Sequence, residues 1–178
     1  MKSKTLSIYT SSLIIIISCI LFTSCGSGQT SRTSERVKEG DYLTYTLDLT
    51  DLKGDTVAMS SFRNKVLFIN IWATWCPPCR KEMPDLVALS NLLPADKFMV
   101  VGLSVDNNLE DVKAFVTEQN VTFPMYWDEG GSKIASPILR SFRFPETYIL
   151  NAEGVIVEKV AGAFPWASPD IVAILKVI

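Results

Sequence analysis

The chain has 178 residues, 48% of them hydrophobic and 20% charged, with 17 basic against 19 acidic side chains and a net charge of −2. That balance offers no basic field for nucleic acid. It has no histidine, and two of its four cysteines lie before residue 26, so the remaining pair has no second set of ligands with which to build an intramolecular Cys/His zinc site.

Met1-Lys2-Ser3-Lys4 is a short basic start, followed by an apolar core from Leu13 to Phe22 and then Thr23-Ser24-Cys25. This pattern reads as a secretory signal over residues 1–24. The apolar core is about half the roughly twenty residues a membrane-spanning helix needs. Phe22-Thr23-Ser24-Cys25 resembles a lipobox, with Cys25 the expected site of acylation, although Phe22 replaces the usual aliphatic residue. Ile16-Ile17-Ser18-Cys19 fits that pattern more literally, but cutting there would leave Ile20-Leu21-Phe22 on the mature terminus. Residues 25–40 have scarcely any apolar side chain and read as a flexible tether. Removal of residues 1–24 takes Lys2 and Lys4 with it and brings the net charge to −4. Residues 41–178 suffice for one domain with a real core.

Within that domain, Leu43, Tyr45, Leu47 and Leu49 alternate with polar residues, which predicts a half-exposed strand. Lys53-Gly54-Asp55 turns it toward a second short strand near Val57, giving an N-terminal β-hairpin. Val66 to Trp72 is almost continuously apolar, as a strand buried on both faces should be. A helix from about Pro77 to Leu93 and a strand from Phe98 to Val105 complete a parallel strand-helix-strand unit. Asn107-Asn108 opens a further helix with Glu110 and Asp111 in its first turn and Leu109, Val112, Phe115 and Val116 on one face, followed by a strand from Val121 to Trp127.

Gly130-Gly131 begins a weaker segment whose Ile134, Ile138, Leu139 and Phe142 are expected to face the core, although Pro137 argues against one regular helix. Glu146–Leu150 and Val155–Val160 flank the turn Asn151-Ala152-Glu153-Gly154 and predict an antiparallel hairpin. Ser168-Pro169 caps a last helix with Ile171, Val172, Leu175 and Ile178 on its buried face. The fold class is α/β, a mixed central sheet with helices on both faces.

The chemistry sits in Trp75-Cys76-Pro77-Pro78-Cys79. Two thiols lie one turn apart at a strand-to-helix junction, where unpaired backbone N–H groups and the helix dipole favour a thiolate at Cys76. Exchange starts when a thiolate attacks a disulfide sulfur. Cys76 is therefore expected to be the exposed attacking sulfur, and Cys79 the buried partner that resolves the mixed disulfide. An inert bridge is the bland alternative, but one closing so short a loop constrains the unfolded chain little. Glu82, three residues after Cys79, is placed to shuttle its proton. A solvated helix charge beside Arg80 and Lys81 is the competing account of Glu82.

The run Asn70-Ile71-Trp72-Ala73-Thr74-Trp75-Cys76-Pro77-Pro78-Cys79-Arg80-Lys81-Glu82-Met83-Pro84 resembles the active-site segment of membrane-anchored thioredoxin-like proteins of the TlpA/ResA type. The resemblance extends from about Tyr45 to the C-terminus and includes Phe144-Pro145-Glu146-Thr147-Tyr148-Ile149-Leu150. It implies a thioredoxin-like fold with a helix-strand insertion and an extracytoplasmic redox role. It further implies a redox-active Cys76–Cys79 disulfide, a cis-proline at Pro145 opposite it, and substrate contact by Trp75, Phe144 and Pro145. Glu82 matches a glutamate that the resembled proteins place near the disulfide, whereas Asn70 stands where cytoplasmic thioredoxins carry a buried acid. Expected partners are protein thiols and disulfides, an upstream membrane redox partner, and the membrane through the lipid anchor. No bound cofactor or metal is expected. The resembled proteins are commonly reductants, for example of apocytochrome cysteines.

Other classes fit less well. A thiol peroxidase would carry threonine or serine and a proline at fixed positions before its cysteine, and here Ala73 stands three residues before Cys76. A copper carrier on this fold would be expected to add a histidine, although two thiolates alone can hold cuprous ion. A non-catalytic surface lipoprotein is the third alternative.

Overall fold

The computed structural model describes residues 40–43 and 47–176, within a compact unit spanning Arg36–Ile178. The expected signal segment, Cys19, Cys25, Tyr45 and Ile178 lie outside the described residues. β1 (Asp48–Thr50) and β2 (Thr56–Ala58) form an antiparallel two-stranded sheet. Between them Gly54 takes a φ of 92°, a conformation glycine adopts without steric cost. The expected N-terminal hairpin is therefore present around its predicted turn.

β3 (Val66–Trp72), β4 (Phe98–Ser104), β5 (Met125–Trp127), β6 (Glu146–Leu150) and β7 (Ile156–Ala161) form one sheet in the order β5-β4-β3-β6-β7. β3 pairs in parallel with β4 and antiparallel with β6, so the sheet is mixed. As the central strand, β3 buries Leu67, Phe68, Ile71 and Trp72 completely, each such side chain contributing about 1.5–3 kcal/mol. The crossovers are α1 (Pro77–Leu92) between β3 and β4 and α2 (Leu109–Glu118) between β4 and β5. Asn108 caps α2 by accepting from Glu110 N at 3.1 Å, and Val112 and Phe115 form its buried face. α3 (Pro169–Lys176) closes the chain and buries Val172.

Two expectations need correction. The strand expected from Val121 begins only at Met125, because Pro124 has no N–H to give the ladder, while its carbonyl accepts from Gly102 N at 3.0 Å. Phe142, expected to face the core, is 61% exposed. Residues 132–139 form successive turns and Arg140 has a φ of 55°, so helical spacing does not carry through to position 142. The segment is organised by Asp128, whose carboxylate accepts from the backbone N–H groups of Lys133, Ile134 and Ala135 at 2.8–2.9 Å. The Tyr148 hydroxyl donates to the Leu139 carbonyl at 2.7 Å and ties the segment to β6.

Candidate active site

β3 ends at Trp72, and after three intervening residues the chain enters α1 with Cys76 as its N-cap. Pro77 and Pro78 occupy the first helical turn, where a backbone N–H has no intrahelical partner to lose. Cys76 and Cys79 form a disulfide with Cα atoms 5.3 Å apart. Cys76 Sγ accepts from Cys79 N at 3.3 Å, and Arg80 N donates to Cys76 O at 3.1 Å. The Cys76 sulfur thus lies against the positive end of α1, the placement that favours a thiolate once the bond is reduced. In the disulfide form Cys76 is only 4% exposed and Cys79 not at all. The expected exposed sulfur at Cys76 is therefore covered in this disulfide form, where Cys76 sits as the N-cap against the first turn of α1. What stands out instead is Trp75, 62% exposed.

Glu82 is buried, 3% exposed, which rules out a solvated helix charge. Asn70 Nδ2 donates to its Oε1 at 2.8 Å and to Thr147 Oγ1 at 3.0 Å. Its Oε2 accepts from Phe164 N at 3.1 Å and Trp166 Nε1 at 3.3 Å. Burial raises the Glu82 pKa above the ordinary 4.5; the three hydrogen bonds oppose that rise, and neighbouring Asp85 adds to it. The result is an acid displaced toward neutrality, one helical turn from Cys79. A cleft of about 230 Å³ lined by Lys81, Glu82, Asp85, Ala163, Phe164 and Pro165 reaches it.

The Phe144–Pro145 peptide bond is cis. The Phe144 and Trp75 rings meet edge to face with centroids 6.0 Å apart, so the residue before Pro145 and the residue before Cys76 share one aromatic surface. Among the described residues, no three of histidine, cysteine, aspartate or glutamate converge on a metal position. No described helix is long and apolar enough to cross a membrane.

Beside the loop carrying Cys76 lies a group with no distinguishing sequence signal. Asp106, just past β4 and buried, accepts from Thr74 N at 3.0 Å, Thr74 Oγ1 at 2.6 Å and Ser104 Oγ at 2.7 Å. A single aspartate at a strand end is too common to mark such a network without the fold.

A strand-helix junction closed by a Cys76–Cys79 disulfide, next to a cis-proline and on a mixed five-stranded sheet, agrees with the match of residues 35–175 to the Redoxin family. The chain belongs to that family. It is 32% identical over 147 residues to thioredoxin-like protein YneN of Bacillus subtilis (strain 168), covering 80% of this chain and 84% of YneN. It is 30% identical over 114 residues to thiol-disulfide oxidoreductase ResA of Bacillus thuringiensis subsp. konkukian (strain 97-27). That match covers 64% of this chain and 65% of the ResA protein, just under two thirds of the relative's length. The thioredoxin domain of a thiol-disulfide oxidoreductase from Bacteroides vulgatus superposes with a TM-score of 0.68 at 24% identity, over 79% of this chain and 99% of that one. The Redoxin chain therefore has a thioredoxin-like fold.

Proposed function

We propose that the protein is a thiol-disulfide oxidoreductase in which Cys76 attacks and Cys79 resolves. The observation that carries this is the Cys76–Cys79 disulfide at the N-terminus of α1 with Glu82 buried one turn beyond it. In the reduced protein the Cys76 thiolate attacks a substrate disulfide, forming a mixed disulfide and releasing one substrate thiolate. Cys79, deprotonated with Glu82 taking the proton, displaces the second substrate sulfur and regenerates the Cys76–Cys79 bond. The substrate leaves as two thiolates carrying the two electrons, one protonated by Glu82 and the other by water; an upstream dithiol partner restores the two electrons, giving one proton to Cys79 and one to water. Trp75, Phe144 and Pro145 form the surface along which the substrate lies. Reductant is the proposed direction, with apocytochrome cysteines as one substrate class. The resemblance of Asn70–Pro84 to TlpA/ResA-type proteins and the ResA relative support that choice.

The proposal places the protein outside the cytoplasm, anchored by a lipid on Cys25, and rests here on the signal-like composition of residues 1–24. The functional test is trapping. Cys79→Ser keeps the nucleophile and removes resolution, so mixed disulfides through Cys76 should accumulate, and Cys76→Ser should accumulate far fewer. Absence of trapping through Cys76 would leave the disulfide without an exchange role. A reduction potential above that of the surrounding compartment would overturn the direction alone.

A further inference from the structure

The disulfide holds Cys76 in place only while it is intact. Once it is reduced, the sulfur that must attack is fixed by its own backbone turn and by whatever grips that turn. Cys76 N donates to Ala73 O at 3.2 Å, closing residues 73–76 into a turn. Inside it, Thr74 is held twice by Asp106: the backbone N–H reaches both carboxylate oxygens at 3.0 and 3.2 Å, and the hydroxyl donates to Oδ1 at 2.6 Å.

Asp106 is itself locked. Ser104 Oγ donates to its Oδ2 at 2.7 Å, and Asp106 N donates back to Ser104 Oγ at 3.1 Å. Its carbonyl accepts from Trp127 Nε1 at 2.7 Å and from Gly130 N at 3.3 Å. Asp128 N donates to Ser104 O at 2.8 Å. Asp106 is 2% exposed, so these bonds lie where water competes little and a carboxylate that lost them would be costly. The residues bracing Asp106 are Ser104 of β4, Trp127 of β5 and Gly130 in the turn after β5.

We propose that Asp106 is a positioning residue for Cys76, gripping the loop through Thr74 so that the reduced sulfur keeps its attacking place. The proposal rests on Cys76 being the attacking thiol. Thr74 is the inner, gripped residue of the loop, and Trp75 next to it is the exposed one. β5 and the turn after it thus reach the Cys76 loop through Asp106.

The test follows the reduced protein attacking glutathione disulfide in Thr74→Val, Asp106→Asn, their double variant and Thr74→Ser, with Cys76→Ser as reference. Misplacing a reacting atom by a fraction of an ångström costs rate steeply, so Thr74→Val and Asp106→Asn should each slow attack about tenfold or more. The double variant should be no slower than the slower single, as expected for two ends of one contact. Thr74→Ser, which keeps the hydroxyl, should restore the rate to within about a factor of two of the parent. Should Thr74→Val fail to fold, Asp106→Asn and Thr74→Ser still decide the matter. Folded variants with the parental rate constant and only a lowered melting temperature would overturn the proposal, as would additive slowing or a Thr74→Ser as slow as Thr74→Val. Undiminished attack by Cys76→Ser would instead overturn the functional reading beneath it.

Discussion

Replacing Glu82 by glutamine removes one buried charge while keeping the side chain's shape. Its two oxygens face different donors, Asn70 on one side and Phe164 N with Trp166 Nε1 on the other. A glutamine turned with its carbonyl toward Phe164 and Trp166 presents its NH2 to Asn70. Asn70 can answer by flipping its amide, because Thr147 Oγ1 can donate as well as accept. The neutral variant therefore imitates the protonated acid, and below the ordinary pKa of 4.5 its stability should lie within about 1 kcal/mol of the parent. Above that pH the two should diverge. The folded Glu82 pKa is raised, so the unfolded chain releases this proton first and binds fewer protons than the native state. Parental stability then falls as pH rises from 4.5 through the raised folded value, and stays lower beyond it. Each unit of rise costs about 1.4 kcal/mol. Urea denaturation of the disulfide form at a series of pH values measures this, and the difference between the two proteins cancels the other carboxylates. Glu82→Gln should become the more stable of the two at neutral pH, and should also lose the limb of the exchange pH profile that Glu82 sets. A stability difference independent of pH, or one of opposite sign, would refute the burial argument. An unchanged exchange profile would remove Glu82 from the proton path.

Cys25→Ala should release the protein from membranes or leave an unprocessed precursor; unchanged membrane partition would reject Cys25 as the anchor. Trp75→Ala removes an exposed ring from the proposed substrate surface, and the loss of one aromatic contact to substrate, about 1 kcal/mol, should raise KM for a protein disulfide about fivefold; a fall in kcat with KM unchanged would count against a binding role. Asp128→Ala strands three backbone N–H groups, at a cost of about 3 kcal/mol or more. Asp128→Asn should cost less, since one oxygen already serves both Ile134 and Ala135. Equal melting temperatures for the two variants would contradict this account.

The elements that could be read in the sequence are those whose cause is local. Apolar continuity marks β3, Pro77-Pro78 and Pro169 mark helix starts, and Lys53-Gly54-Asp55 marks the hairpin turn. The Cys76–Cys79 pair was legible for the same reason, since spacing and junction lie in one short run. Other features depend on partners distant in the chain. Glu82 is buried because Phe164 and Trp166 cover it, some eighty residues on, and helical spacing alone allowed a solvated charge equally well. Asp106 acts on a loop 32 positions earlier. Phe142 points outward because the turns before it break the helical period, and Cys76 is covered in the disulfide form as the N-cap of α1.

Residues 40–43 run beside the start of β7. Ile156 N donates to Asp41 O at 2.9 Å, Leu43 N to Gly154 O at 3.1 Å, and Tyr42 bridges Val155. Gly154 belongs to the turn after Leu150, and Leu150 pairs with Leu67 near the beginning of β3, whereas Cys76 follows the strand's far end. Seven residues of strand, roughly 20 Å, separate the two levels. Residues 40–43 thus lie at the pole of this domain opposite its reactive sulfurs. A substrate meeting the Cys76–Cys79 pair therefore approaches from the end of the sheet remote from residues 40–43, and need not pass the chain where those residues pair with β7.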